Sequence, residues 1–343
     1  MKPVALVTGV VSDHRVEPFR ILAEREQVEV LSWREPRRYG QLEAARLAGS
    51  GRYRAVIGGL GGRVALPATY AAARRARVPF ILWASLWEHP RTAAHALSYL
   101  PMRAIYKRAD AVVTYGPHVT RYVERFRDVG NVFEAPQPVD PAVFARTVGD
   151  DERAAARARM GASNEGFVAL FVGRFVPEKG IDTLLQAWQE ASLPAGSALA
   201  FAGAGPLAPG GRGVHVLGRI DRNDLATVYS AADVLVLPSI ATATFREPWG
   251  LVVNEAMHQG TPVIASDAVG AAAGGLVVDG RTGLVVPAGD ADALAARLTA
   301  LAAAPDLRAR LGEQARAKVA EYTPEHWAAG MSRALAAVGA SAA

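Results

Sequence analysis

The chain has 343 residues, half of them apolar, no cysteine and a formal net charge of +5. That length buries two ordinary hydrophobic cores, and the missing cysteines exclude disulfides, thiolate metal sites and Cys nucleophiles, leaving chemistry to carboxylates, His, Lys, Arg and backbone. No apolar run approaches the roughly 18 residues that span a bilayer, and Met1–Gly9 is too short and too strand-like for a signal peptide, which points to the cytoplasm.

The charge is unevenly spread. Residues 1–150 carry 22 Lys+Arg against 14 Asp+Glu, and residues 151–343 carry 16 against 19. A basic first half suits an anionic partner: a phosphate-bearing substrate or an acidic membrane surface, with the protein then peripheral at the inner membrane face. Nucleic acid is disfavoured, because the arginines are scattered along helices (Arg20, Arg25, Arg46, Arg74, Arg75) with no accompanying aromatic stripe. A solvated, arginine-rich surface is the plainer explanation of the same charge.

Short β-rich runs alternate with helical ones through the first half. Strands are predicted at 4–10, 28–33, 55–60, 79–85 and 111–116, and helices at 16–26, 41–47, 65–76 and 93–109. Such alternation predicts a parallel sheet covered by helices on both faces. FEAPQPVDPAVF (133–144), crowded with proline, reads as a linker. A second series follows, with strands at 167–173, 198–203, 214–218, 233–239, 262–266, 275–279 and 283–287, and helices at 180–190, 221–231, 251–259, 290–303 and 307–321. The last helix, 324–338, is amphipathic around Trp327. The fold class is therefore α/β, two Rossmann-like doubly wound domains, whose facing sheets would leave an interdomain cleft beyond the carboxyl ends of their strands.

Chemistry is sought in the loops that follow strands. In FVGRFVPEKGIDTLL, Arg174 and Lys179 stand five apart after a buried strand; a guanidinium fork and an ammonium together suit a departing diphosphate. FAGAGPL (201–207) places Gly203 and Gly205 after a strand, which permits close backbone approach, yet it is no dinucleotide fingerprint and a dehydrogenase gains little from it. Backbone groups at Gly218 and Ile220, past the end of another strand, can meet a flat nucleobase.

FREPWGLVVNEAMHQG (245–260) brackets an apolar run with two carboxylates. Free N–H groups at Gly250, Leu251 and Val252 open a helix and form an anion site. Glu255, one turn inside, can accept two hydrogen bonds from a vicinal diol such as a ribose, while Glu247 precedes the helix and points beyond the phosphate. The plainer alternatives are charge complementation of the helix N-terminus for Glu247 and a buried pair with an Arg for Glu255. Asp290 and Asp292 in GDADALAARL could suggest a metal-nucleotide pair, but Asp290 is better placed as a helix N-cap. His95, His118, His215, His258 and His326 lack metal-ligand spacing and read as structural.

Together VGRFVPEKGIDTLL, FAGAGPL, VLGRIDRNDLATVYSAADVLVLPS, EPWGLVVNEAMHQGTPVIASD and DGRTGLVVPAGD, which cover almost all of residues 167–292, resemble the retaining glycosyltransferases of family 4. Glu247 and Glu255 match that family's E-x7-E signature. The resemblance implies the GT-B fold, with an acceptor domain at 1–140 that the C-terminal helix (323–343) rejoins and a nucleotide-sugar donor domain at 141–322. It implies that Arg174 and Lys179 hold the donor diphosphate, that Glu247 contacts the donor sugar and that Glu255 binds the ribose. By position it makes His89, with Glu88 beside it, the candidate histidine facing the donor sugar; a loop residue before Pro90 is the alternative. GGLGGR (58–63) also follows a strand and could reach the cleft. The resemblance thins in the first half, where TGVVSDHRVEPFR stands in place of the usual glycine-rich loop.

The expected activity is retaining, metal-independent transfer of a hexose from a nucleotide-diphosphate sugar, UDP-linked before GDP-mannose, to a hydroxyl on a small-molecule, glycan or lipid-linked acceptor, with no cofactor. A catalytically silent nucleotide-sugar binding subunit and a GT-B epimerase are the alternatives.

Overall fold

A computed structural model of the protein describes all residues except 36, 37, 60, 62, 63, 164 and 343, and the side chains of all of these but 35 and 93–95. Parts of GGLGGR and the side chain of His95 therefore lie outside the described residues.

Two parallel six-stranded sheets organise the chain into two units, Met1–Pro138 joined by Thr323–Ala343, and Val139–Tyr322. In the first unit β1 (Val4–Val10), α1 (Asp13–Glu26), β2 (Val28–Glu35), α2 (Gln41–Ala48), β3 (Ala55–Gly59), α3 (Ala65–Ala76), β4 (Phe80–Ala84), α4 (Ala93–Arg108), β5 (Ala111–Thr114), α5 (Pro117–Glu124) and β6 (Val132–Glu134) give the strand order β2-β1-β3-β4-β5-β6. Runs such as FILWA are buried at every position, as strands covered on both faces must be.

α1 begins a turn earlier than its apolar periodicity predicts. Ser12 takes an extended N-cap conformation and Asp13 fills the first turn, so the start signal is polar and precedes the first core residue. The predicted linker also needs correction: Phe133 and Glu134 complete β6, and Asp140 caps a short helix α6 (Pro141–Phe144) by accepting from the Ala142 amide at 3.0 Å. Proline at the first helical position loses no bond that a helix would have made.

The second unit continues with α7 (Asp150–Arg159), β7 (Val168–Arg174), a 3₁₀ turn (Pro177–Lys179), α8 (Ile181–Glu190), β8 (Ala198–Ala204), β9 (Val214–Gly218), α9 (Leu225–Ala231), β10 (Val234–Leu237), α10 (Leu251–His258), β11 (Val263–Ser266), α11 (Gly270–Ala273), β12 (Leu284–Val286), α12 (Ala291–Ala303) and α13 (Pro305–Val319). Its strand order is β12-β11-β10-β7-β8-β9. The strand predicted at 275–279 is absent. The amides of Leu276 and Val277 both turn back to the Ala271 carbonyl, and Thr282 closes the turn by accepting from the Val278 amide at 2.8 Å. The run folds back on itself instead of pairing along the sheet, and only the single bridge Asp279–Gly283 remains.

The last helix, α14 (Pro324–Ala337), belongs to the first unit. Trp327 is buried there against Phe19 of α1 (5.6 Å between ring centroids) and Trp83 of β4 (5.4 Å). Gly330 allows the close approach: a Cβ there would lie 2.4 Å from the Glu134 carbonyl oxygen. Among the described residues no helix is long and apolar enough to cross a membrane.

Candidate functional site

In the second unit β7 neighbours both β8 and β10, so the chain leaves β7 to one side and later returns to build the other. That reversal is the topological switch point at which open α/β sheets bind ligands, beyond the carboxyl ends of the strands. The loops meeting there run from β7 to α8 and from β10 to α10. They are tied to each other: the Ile240 amide donates to the Glu178 carbonyl at 3.0 Å, and Gly180, at φ +69°, passes so close to Pro238 that a Cβ would sit 2.0 Å from its carbonyl oxygen.

This seam holds Lys179, Ser239 and Glu247. One carboxylate oxygen of Glu247, Oε2, takes a short hydrogen bond and ion pair from Lys179 Nζ and a second hydrogen bond from Ser239 Oγ at 3.1 Å. The Lys179 and Glu247 side chains are only 13% and 10% exposed, so the pair is largely removed from water and depends on its mutual geometry. Lys179 Nζ also lies 5.7 Å from the Phe245 ring centroid. Ser239 is fully buried and is itself fixed, because the Ser266 hydroxyl donates to its carbonyl. The Glu247 backbone is anchored by a bridge to Val269 and by the Gly270 amide at 3.0 Å.

Arg174 does not share this environment. Its side chain is 67% exposed at the end of β7 and meets Glu178 at 3.7 Å. The two cations that the sequence pairs are thus one exposed guanidinium and one largely buried, engaged ammonium.

Gly250 initiates α10 in the left-handed region, at φ +96°, and a Cβ there would lie 2.7 Å from Leu237 Cδ2. Among the described residues no side chain caps this N-terminus, and the first-turn amides at Leu251 and Val252 lack an intrahelical partner. Glu255 follows one turn later. Its Oε2 accepts from the Tyr229 hydroxyl at 2.6 Å, and Tyr229, fully buried on α9, is held protonated by burial, so it is the donor. Loss of hydration pushes the Glu255 pKa up to about 7, against the opposing effects of the Tyr229 hydrogen bond and the Arg222 charge. The Glu255 carboxylate therefore meets a tyrosine, with Arg222 acting through charge. Gly218, at φ +71° with open space where a Cβ would lie, and Ile220 follow the end of β9.

His89 lies in the first unit, in the loop after β4, with its ring 5.1 Å from that of Tyr99. His89, Arg91, Thr92 and Tyr99 line an open depression of about 500 Å³. Glu88 pairs with Arg91. Asp290 is the N-cap of α12, accepting from the Ala293 amide at 2.8 Å. Among the described residues no group of three or more His, Asp or Glu is arranged to hold a metal ion.

Sequence reasoning passed over Ser239 and Tyr229. Ser239 was visible as a polar residue closing an apolar strand; Tyr229 looked like any core aromatic on an amphipathic helix, and nothing in the chain order pairs it with Glu255, 26 positions away.

Residues 152–318 match the family described as "Glycosyl transferases group 1". The D-inositol 3-phosphate glycosyltransferase of Streptomyces scabiei is 36% identical over 195 residues, which is 50% of this chain and 42% of that protein, so the chain spans less than half the length of this relative. The enzyme of the same name from Mycolicibacterium gilvum is 34% identical over 227 residues, 58% of this chain and 47% of the relative. Among solved structures, Anabaena HepE in complex with UDP and glucose superposes with a TM-score of 0.75 at 18% identity, covering 98% of this chain and 100% of that one. Sucrose-phosphate synthase from Thermosynechococcus elongatus gives 0.73 at 23%, covering 97% and 98%. The fold of this chain is that of these GT-B proteins.

Proposed function

We propose that the protein, whose residues 152–318 match the family model described as "Glycosyl transferases group 1", transfers a hexose from a UDP-sugar to a hydroxyl acceptor, with retention and without a metal. The observation that carries this reading is the Lys179–Glu247–Ser239 cluster at the switch point of the second sheet, immediately before the uncapped start of α10.

The roles follow from charge and position. Lys179, the exposed Arg174 and the amides of Gly250, Leu251 and Val252 hold the donor diphosphate, supplying the positive field in which the leaving group departs. Glu255 accepts from the ribose hydroxyls, with Tyr229 occupying Oε2 and leaving Oε1 to the ligand. Gly218 and Ile220 present backbone to the base. Glu247 is aimed at the transferred sugar, and His89 is the residue of the first unit assigned to transfer. The bond between the anomeric carbon and the diphosphate oxygen breaks, the acceptor oxygen bonds on the same face, and the acceptor proton passes to the departing diphosphate.

The preference for uridine draws on the UDP held by HepE; GDP-mannose is the next candidate. We assign the activity to the cytoplasm, with any membrane contact peripheral. Calorimetric titration with UDP and GDP, followed by incubation with their labelled sugars, tests the reading: UDP binding together with transfer or slow donor hydrolysis is expected. Binding without turnover across a panel of donors and acceptors would leave a silent binding subunit, and failure to bind either nucleotide would overturn the assignment.

A further inference from the structure

The first unit carries a cation that the donor site does not use. β1 is the strand at which the first sheet reverses, lying between β2 and β3, so the loop after β1 sits at that sheet's own switch point. Arg15 stands there, in the first turn of α1, within the TGVVSDHRVEPFR stretch.

Its guanidinium is held in place from several sides. Nη1 donates to the Val10 carbonyl at 3.1 Å and, at 3.5 Å, to Thr8 Oγ1; Nη2 donates to the Tyr115 hydroxyl at 3.1 Å; and the group lies 4.8 Å from the Trp83 ring centroid. All these partners are neutral. Among the described residues Arg15 makes no ion pair: Glu17 is committed to Arg20, and Asp13 is exposed without reaching it. The Arg15 Nε is buried with no acceptor among the described residues. Of five guanidinium N–H donors, the contacts use three and leave Nε and one position on Nη2 unmatched.

A half-buried guanidinium set among dipoles has given up hydration without gaining a counter-ion, and an oxyanion is the partner that restores the balance. The excess of 22 Lys+Arg over 14 Asp+Glu in residues 1–150 draws an anion toward the same unit. We propose that Arg15, oriented by Tyr115 and the Val10 carbonyl at the switch point of the first sheet, binds an oxyanion carried by the acceptor, which makes the acceptor an acidic molecule, phosphorylated or carboxylated. The word acceptor rests on the transferase reading; the oxyanion site does not.

The test uses the full-length protein saturated with UDP, so that the diphosphate site of the second unit is filled, titrated calorimetrically with inorganic phosphate and separately with acetate. The wild type should bind at least one of them, and whichever binds more tightly identifies the acidic group. Arg15→Gln should weaken that binding at least ~10-fold, as loss of a charge-assisted contact does, and Tyr115→Phe, which keeps the ring and frees the guanidinium, about 3-fold. UDP affinity should be unchanged in both variants, and an unaltered urea-unfolding profile shows that the first unit folds. Absence of anion binding to the UDP-saturated wild type, or equal binding to Arg15→Gln, overturns the proposal. So does a parallel loss of UDP affinity, which would make Arg15 a donor residue. If the wild type does not bind UDP, the transferase reading fails, and the same titrations on UDP-free protein with Arg15→Gln and Arg174→Gln still decide whether Arg15 holds an oxyanion.

Discussion

Glu247 Oε2 is shared by Lys179 Nζ and Ser239 Oγ, a cation and a hydroxyl delivered by two loops 60 positions apart in the chain. Both donors converge on one oxygen, which fixes the orientation of the carboxylate. Glu247→Ala should lower turnover by a factor on the order of 10² to 10³, the range expected for loss of a positioned polar group at a reacting centre, while UDP affinity falls little. Wild-type turnover in this variant would sink the assignment of Glu247.

The same pair carries stability. Glu247→Ala strands a buried ammonium, and breaking such a pair costs about 3 to 5 kcal/mol. Lys179→Met in the Glu247→Ala background removes the stranded charge and should recover much of that loss in urea unfolding, although UDP binding weakens. Strictly additive single and double variants would show that the two side chains are not coupled.

Ser239→Ala removes one neutral-to-charged hydrogen bond at a fully buried position without disturbing the backbone. Loss of about 1.5 to 3 kcal/mol of stability is expected, with a smaller drop in turnover than Glu247→Ala produces. The readout is the pair of kcat and donor KM: a reduced kcat with unaltered KM is the signature of a mispositioned Glu247.

Glu255 sets a pH dependence. Its folded pKa, about 7, lies above its ordinary value of 4.5, so between these limits the folded state binds the extra proton. Stability from this group is then present below pH 4.5 and lost as pH rises through 7. Glu255→Gln abolishes that titration, so its Tm relative to wild type should be higher at pH 8 than at pH 5.5. Donor binding has the opposite sense: the ionised carboxylate accepts the ribose hydroxyls, and UDP affinity of the wild type should rise as pH rises through 7. A Tm difference that is flat with pH would show that Glu255 does not titrate there.

Gly250→Ala places a Cβ 2.7 Å from Leu237 Cδ2 at a φ of +96°. Strain of about 1 to 3 kcal/mol is expected from the left-handed backbone alone, measured by chemical denaturation. UDP affinity should fall with it, since the first-turn amides of α10 shift. Turnover in EDTA-treated protein should equal that of the untreated protein, with the diphosphate held by cationic side chains and amides.

Much of the architecture was written in local patterning. Apolar runs such as VALVTGV and FVALFVG can only be buried strands, and helices of 3.6-residue period between them force parallel crossovers. The same reasoning misjudged 275–279, where an apolar run had the composition of a strand but its amides turn back to the Ala271 carbonyl. It also ran the proline-rich linker over the end of β6, since periodicity cannot see a partner strand 20 positions back that supplies the hydrogen bonds.

The sequence by itself determined that this chain makes two parallel α/β sheets, because side-chain periodicity and turn chemistry are local properties. It also singled out Lys179, Glu247 and Glu255, since charges placed after apolar strands are conspicuous in one dimension. Which groups they meet was decided by the tertiary structure alone. Strand order brings β7 beside β10, and only that adjacency joins Lys179 and Ser239 on Glu247. Helix packing brings Tyr229 to Glu255, and burial there moves a carboxyl that is ordinary in sequence up to a pKa of about 7. Desolvation and hydrogen-bond geometry depend on what surrounds a group in space, and chain order does not encode that in any short window.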